Sequence, residues 1–184
     1  MSDGAPKAAT ALQDLTACQM LAGFHGKQLS PSEVLEDVLA HIAAWEPHIK
    51  ALYAFDPDAA RKAAKDSTAR WQKGAPVGPL DGVPITSKET IATKGVPVPL
   101  GAATTTLTPS PSDAPPAARV REAGAVIMSK TTMPDYGMLS SGLSSFHPLT
   151  RNPWDLAMNP GGSSAGAGAA GAAGYGPLHL GTDI

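Results

Sequence analysis

Hydrophobic and polar positions change period several times along this chain, and each change marks an element. Val34, Leu35, Val38, Leu39 and Ile42 recur at helical spacing, with Glu36, Asp37 and His41 off that stripe. Ahead of them Ser30-Pro31-Ser32-Glu33 supplies an N-cap serine, a proline at the first helical position and a capping-box glutamate. The pattern predicts a helix from Pro31 that ends near Trp45, before Pro47. A shorter helix is expected over Leu15 to Phe24, closed by Gly23 and Gly26, with residues 1–14 as a flexible lead. The apolar run Ala51 to Phe55 reads as a strand. Asp58 to Lys73, rich in alanine and charge, reads as a surface helix anchored by Trp71.

Asp81-Gly82 makes a turn, and Val83 to Ser87 form a short strand that delivers Lys88 close to its end. Prolines and threonines dominate from Gly95 to Pro116, which predicts a long loop over the surface or a site mouth. Ala117 to Ala123 then forms a helix with Gly124 as its C-cap, and Ala125 to Met128 a buried strand, one αβ step of a layered sheet. Thr131 to Pro160 carries no sustained period and reads as an ordered loop of the kind that bears function. Gly166 to Gly174 alternates alanine with glycine, as a helix lying flush against a neighbour would. The fold class is α/β, a mixed β-sheet core covered by helices.

Composition narrows the function. The 184 residues suit one domain, and 14 basic against 16 acidic residues leave a net charge of −2. No basic stripe interleaved with aromatics is present, so nucleic acid is not an expected partner, whereas a small uncharged or weakly charged molecule is. Nineteen Gly and eighteen Pro suggest disorder, but an apolar fraction of 42% argues for a packed core. The lone cysteine, Cys18, excludes an internal disulfide; its neighbours Leu12, Leu15, Leu21 and Ala22 predict a core thiol. Neither a signal-like start nor a membrane-length apolar run is visible, so a soluble, cytoplasmic protein without membrane contact is expected.

The stretch NPGGSSAGAGAAGAAG, residues 159–174, is where chemistry concentrates. Read from Gly166, Gly168 and Gly171 it fits G-x-G-x-x-G, a dinucleotide cradle. That motif needs a strand directly before it and an acidic residue about twenty positions on. Read from Gly162 to Gly166 it fits G-x-S-x-G, a nucleophile elbow with Ser164 at its tip, which also needs an entering strand. Asn152-Pro153 and Asn159-Pro160 supply none. His25, His41, His48, His147 and His179 carry no mark of a catalytic partner and read as surface or helix-face residues. A third reading takes Gly161-Gly162-Ser163-Ser164 as a serine-presenting loop that works with a lysine elsewhere; a plain capping role for either serine is the structural alternative. The lysine version is chemically coherent. A serine hydroxyl needs a base, lysine can be that base if burial lowers its pKa, and an intervening serine can relay the proton.

The segments GVPITSKET, SKTTMPDYG and TRNPWDLAMNPGGSSAGAGAAGAAGYGPLHLGTDI occur in an order and spacing that resemble the amidase signature family, over the chain from Leu15 onward. The resemblance implies that fold, and a Ser–cisSer–Lys triad cleaving amides. Lys88 stands at the family's lysine and Ser163 at its cis serine, within a structural loop of Gly161, Gly162 and Ser164. Thr182, Asp183 and Ile184 match the lead-in to the nucleophile and oxyanion hole, and the nucleophile itself belongs at the third residue beyond Ile184. Residues 1–184 would then be the N-terminal portion of a single amidase domain. Met138, within Gly137 to Gly142, is implied to line the acyl pocket.

No metal or organic cofactor is implied, and the implied partner is a small-molecule amide; oligomeric state is silent. Two departures from the family pattern are Ala165, for a glycine, and Glu89, for an aspartate. The resemblance implies that Lys88 meets Ser163 and that the bond entering Ser163 is cis. Two further readings stand beside a free amidase: the A subunit of glutamyl-tRNA(Gln) amidotransferase, and an inactive fragment or non-enzymatic module.

Overall fold

The computed structural model describes residues 11–183. Part of the lead expected to be flexible, residues 1–10, lies outside that range. The remainder does not trail free: Leu12–Asp14 form a 3-10 turn whose Gln13 N–H donates to Asp37 Oδ2 at 2.9 Å. Helix α1 follows at Ala17–His25, started by a Thr16–Gln19 capping box. Its buried residues are Met20, Gly23 and Phe24, one i, i+3, i+4 face, which leaves Cys18 exposed rather than in the core.

Helix α2 runs Pro31–Ile49 from the expected Ser30–Glu33 capping box, and it continues through Pro47. Proline in the last turn removes only one intrahelical bond, and the extra turn carries Ile49 into the core at full burial. Lys50, left-handed at φ 56°, closes the helix by donating its N–H to Glu46 O. Strand β1 is only Leu52–Tyr53, and helix α3 spans Pro57–Gln72 with Asp56 as N-cap. Trp71 anchors α3 as expected, with its ring 6.0 Å from Phe24 and its Nε1–H donating to Asp81 O at 3.0 Å. Arg70 clamps the fully buried Asp81 carboxylate with two bonds, at 2.9 and 2.5 Å, and so ties α3 to the turn before the next strand.

Strand β2, Pro84–Lys88, is buried at all five positions, as a central strand with parallel neighbours must be. Helix α4 is Pro115–Glu122, followed by Gly124 at φ +88°. Strand β3 is Val126–Thr131, longer than its apolar stretch because Ser129 and Lys130 are buried with their polar atoms bonded. Helix α5 is Ala165–Ala172 and strand β4 is Leu178–Leu180. The sheet order is β1-β3-β2-β4, with β1 antiparallel to β3 and the other pairings parallel.

Val126 and Met128 pack into the main core with residues of α1, α2, α3 and α5. Ile127 turns instead to a smaller cluster with Val83, Ile85 and Val120, the alternation of a strand. Of the three glycines within α5, packing dictates Gly166. A Cβ there would sit 2.4 Å from both Ala51 O and Thr132 N, whereas one at Gly168 would meet nothing within 4 Å. No helix among the described residues is long and apolar enough to cross a membrane.

Candidate active site

Lys88 is the last residue of β2, and its side chain is 1% exposed. Parallel pairing sets Ser87 opposite Leu180, so the chain two residues beyond β4 runs beside the amine. Nζ lies 2.7 Å from Ser163 Oγ and 2.8 Å from Thr182 Oγ1, donating to both. Burial away from water pushes the Lys88 pKa below its ordinary value, while the negative charges of Glu89 and Asp183 oppose that shift.

Ser163 is held by backbone. The Gly162–Ser163 peptide is cis, and Gly161 at φ +84° turns the chain ahead of it. Gly162 lies against the 139–141 backbone so closely that a Cβ would meet Ser141 O at 2.6 Å and Leu139 O at 2.8 Å. Ser164 occupies the N-cap of α5. Its Oγ accepts from Thr182 N–H and donates to Thr182 O, both at 3.1 Å. A two-way clamp therefore fixes Thr182 relative to the helix start.

Among the described residues no strand lies between β3 and β4. The entering strand that a dinucleotide cradle or a nucleophile elbow requires is thus absent, and Ser164 Oγ is spent on the clamp. Met138 is 80% exposed and, with Leu139, Ser140 and Pro160, lines an open cleft of about 360 Å³ that Ser163, Thr182 and Asp183 also line. Ile184 lies outside the described residues. A larger cleft of about 650 Å³, lined by Asp14, Cys18 and His41, contains neither Lys88 nor Ser163.

Three buried ionisable groups around Lys88, namely Glu89, His147 and Lys130, have no catalytic role in the motifs. Glu89 is fully buried; its Oε1 accepts from Gly101 N–H and its Oε2 bonds His147 Nε2. His147 is therefore not a surface residue: its ring packs edge-on against Tyr53 and Phe146, with centroids at 5.2 and 4.9 Å. His179 also departs from a surface reading, since Nδ1 meets Thr86 Oγ1 at 2.8 Å and burial lowers its pKa.

Lys130, 2% exposed, donates to Ile91 O and to Thr93 Oγ1, the latter at 2.7 Å. Burial brings its pKa down to about 8, against the opposing charge of Glu89. The signal for Glu89 was present as its departure from aspartate beside Lys88. For Lys130 and His147 it was not, because their partners are 37 to 58 residues away.

A buried strand-end amine bonded to a serine on a glycine-shaped turn defines a serine–lysine site on an α/β scaffold. A family model described as Amidase matches residues 33–184, and the chain belongs to that family, the amidase signature enzymes. It is 41% identical over 174 residues to the A subunit of the Chloroflexus aurantiacus glutamyl-tRNA(Gln) amidotransferase, a match covering 95% of this chain and 36% of that one. Among solved structures it resembles an amidase at TM-score 0.85 and 33% identity, covering 92% of this chain and 38% of that one. It also resembles fatty acid amide hydrolase at TM-score 0.90 and 27% identity, covering 95% and 31%. The chain thus spans about a third of the length of the curated relatives it matches.

Proposed function

We propose that this chain is the N-terminal portion of a single amidase domain that hydrolyses a carbon–nitrogen bond through a Ser–cisSer–Lys triad, with Lys88 as the base and Ser163 as the relay. The observation that carries the reading is the 2.7 Å contact between a buried amine and the Ser163 hydroxyl. A neutral amine has two hydrogens and one lone pair. It can donate to Thr182 Oγ1 while accepting the Ser163 proton at the same distance.

The attacking serine is proposed to follow Ile184 in a longer chain. As its oxygen forms a bond to the amide carbon, its proton passes to Ser163 Oγ and the Ser163 proton to Lys88 Nζ. The returning proton leaves on the amine as the carbon–nitrogen bond breaks, and water then releases the acid from the acyl-enzyme. The cleft beside Met138 supports an acyl-binding role for that wall, and backbone N–H groups from 184 onward are proposed to hold the oxyanion. The substrate is a small-molecule amide, the site uses no metal or organic cofactor, and the protein works in the cytoplasm.

The names of the curated relatives favour a second reading, the glutamine-cleaving A subunit of an amidotransferase. Assay of a full-length enzyme carrying this sequence separates the two. Turnover of a simple aryl amide without a partner supports the free amidase, and ammonia release from glutamine only with partner subunits supports the other. A protein ending at Ile184 is expected to turn over neither; amide turnover by it, abolished by Ser164→Ala, would overturn the triad.

A further inference from the structure

We infer that Glu89 and His147 form a buried positioning pair that holds the Ser163 turn in register with the Lys88 strand end. The inference rests on the proposed triad.

The path from Lys88 to the Ser163 turn runs through hydrogen bonds and ends in a close packing contact. Glu89 directly follows Lys88, and its backbone N–H donates to Thr131 O at 3.0 Å, continuing the β2–β3 pairing. One carboxylate oxygen takes Gly101 N–H and the other takes His147 Nε2. From Gly101 the contacts run to the pocket wall. Tyr136 N–H donates to Leu100 O at 2.6 Å, and Phe146 N–H and Ser144 Oγ donate to Gly101 O at 3.2 and 2.5 Å.

Ser145 then closes the 135–145 loop on itself through both Asp135 carboxylate oxygens, at 2.7 and 2.8 Å. The wall of that loop, Leu139 to Ser141, is the backbone against which Gly162 lies with no room for a Cβ. Moving this wall moves the peptide that carries Ser163. Aspartate, one methylene shorter, would have to give up reach toward Gly101 or His147, which gives the glutamate at 89 a physical reason.

Charge links Glu89 to the Lys88 amine as well. Glu89 faces Lys88, Lys130 and Tyr53 as well as His147, while Asp183 also faces Lys88 and Asp135 also faces His147. Removing the Glu89 charge while keeping its shape therefore acts on the Lys88 amine even if no atom moves.

The test is made in a full-length enzyme carrying this sequence, with kcat and KM for an aryl amide measured across pH alongside Lys88→Ala. His147→Phe keeps the ring against Tyr53 and Phe146 but loses the donor, and its kcat is expected to fall about 10–100-fold with KM within about twofold. His147→Gln keeps a donor at similar reach, and should stay within about threefold of the parent. The opposite order, with Phe active and Gln impaired, would mean that the ring only fills space and would overturn the pair. Glu89→Gln preserves the shape and should move the acid limb of the kcat profile to lower pH.

Should His147→Phe fail to fold, by loss of its cooperative thermal transition, Glu89→Asp decides, because it keeps the charge and shortens the reach toward Gly101 and His147; an unimpaired kcat in that variant overturns the inference. Full activity in Lys88→Ala would bring down the triad and this inference together. An inactive Lys88→Ala beside an unimpaired His147→Phe would bring down this inference alone.

Discussion

Lys88 Nζ stands 2.7 Å from Ser163 Oγ although 75 residues separate the two in sequence. The sheet brings the lysine to this point and the start of α5 brings the serine, so their meeting is a property of the tertiary fold. Burial favours the uncharged amine, the form able to accept a proton.

In a full-length enzyme, Lys88→Ala is therefore expected to lower kcat by about 10²–10⁴-fold. Lys88→Arg should be nearly as damaging, because guanidinium stays protonated and cannot act as base. The sign of the pH dependence follows from the lowered pKa. Activity is present above the folded-state pKa of Lys88 and is lost as pH falls through it. If the lysine served only as a charge for a substrate carboxylate, arginine would restore kcat and the defect would appear in KM. Measuring kcat and KM for both variants across pH decides between these roles.

Gly166 should tolerate substitution far less than Gly168, its neighbour on the same helix. Gly166→Ala puts a methyl against backbone atoms at 2.4 Å, and backbone has no rotamer by which to yield. A loss of about 1–3 kcal/mol or more is expected. Gly168→Ala faces open space on the same helix and should gain about 0.4–1 kcal/mol from helix propensity and a less flexible unfolded chain. Chemical denaturation midpoints of the two variants test the contrast, and equal effects would contradict the flush packing of α5 on the strand ends.

The sequence made some of this legible and hid the rest for physical reasons. Local signals were readable: the Ser30–Glu33 box, the α2 stripe, and the turn that feeds β2. Lys88, Ser163 and the lead-in at Thr182 and Asp183 came from motifs whose order and spacing are specific. Strand β4 escaped because three half-buried residues after Pro177 carry no period. Helix α2 outruns the end that Pro47 suggests because a proline in the last turn costs little when Ile49 gains full burial. Nearby leucines point Cys18 to the core, but helical geometry turns it away from the Met20–Phe24 face. Glu89, Lys130 and His147 are buried by partners on other elements, and no local pattern announces that.

Arg70 and Asp81 should respond unequally to removal of the partner. Asp81 is fully buried, whereas the Arg70 side chain is 31% exposed and can be rehydrated. Arg70→Ala strands a buried carboxylate and is expected to cost about 3–5 kcal/mol; Asp81→Asn leaves a hydratable cation and should cost less. Burial acts to raise the Asp81 pKa, but the Arg70 bonds and the Val77 N–H hold it below its ordinary value. The contribution of Asp81 to stability is therefore present above the unfolded-state pKa and lost as pH falls through the folded-state one. Unfolding free energies from neutral to acid pH should show this loss in the parent and not in Asp81→Asn.

Ser163 and Ser164 are adjacent, and their substitutions should separate relay from clamp. Ser163→Ala removes the hydroxyl bonded to Lys88 Nζ, and a proton relay cannot run through a methyl group. Its kcat is expected to fall into the same about 10²–10⁴-fold range as Lys88→Ala, and the double variant should be little worse than either, since groups acting as one unit are not additive. Ser164→Ala instead cuts the two bonds to Thr182, leaving the Lys88–Ser163 contact in place. Freed of that clamp, residues 181–183 should shift slightly, lowering kcat by about tenfold and unfolding free energy by about 1 kcal/mol. A nucleophile at Ser164 would reverse this order, with Ser164→Ala inactive and Ser163→Ala retaining turnover. Steady-state kinetics of Lys88→Ala, Ser163→Ala, their double variant and Ser164→Ala in the full-length enzyme, each checked for cooperative unfolding, would distinguish the two arrangements.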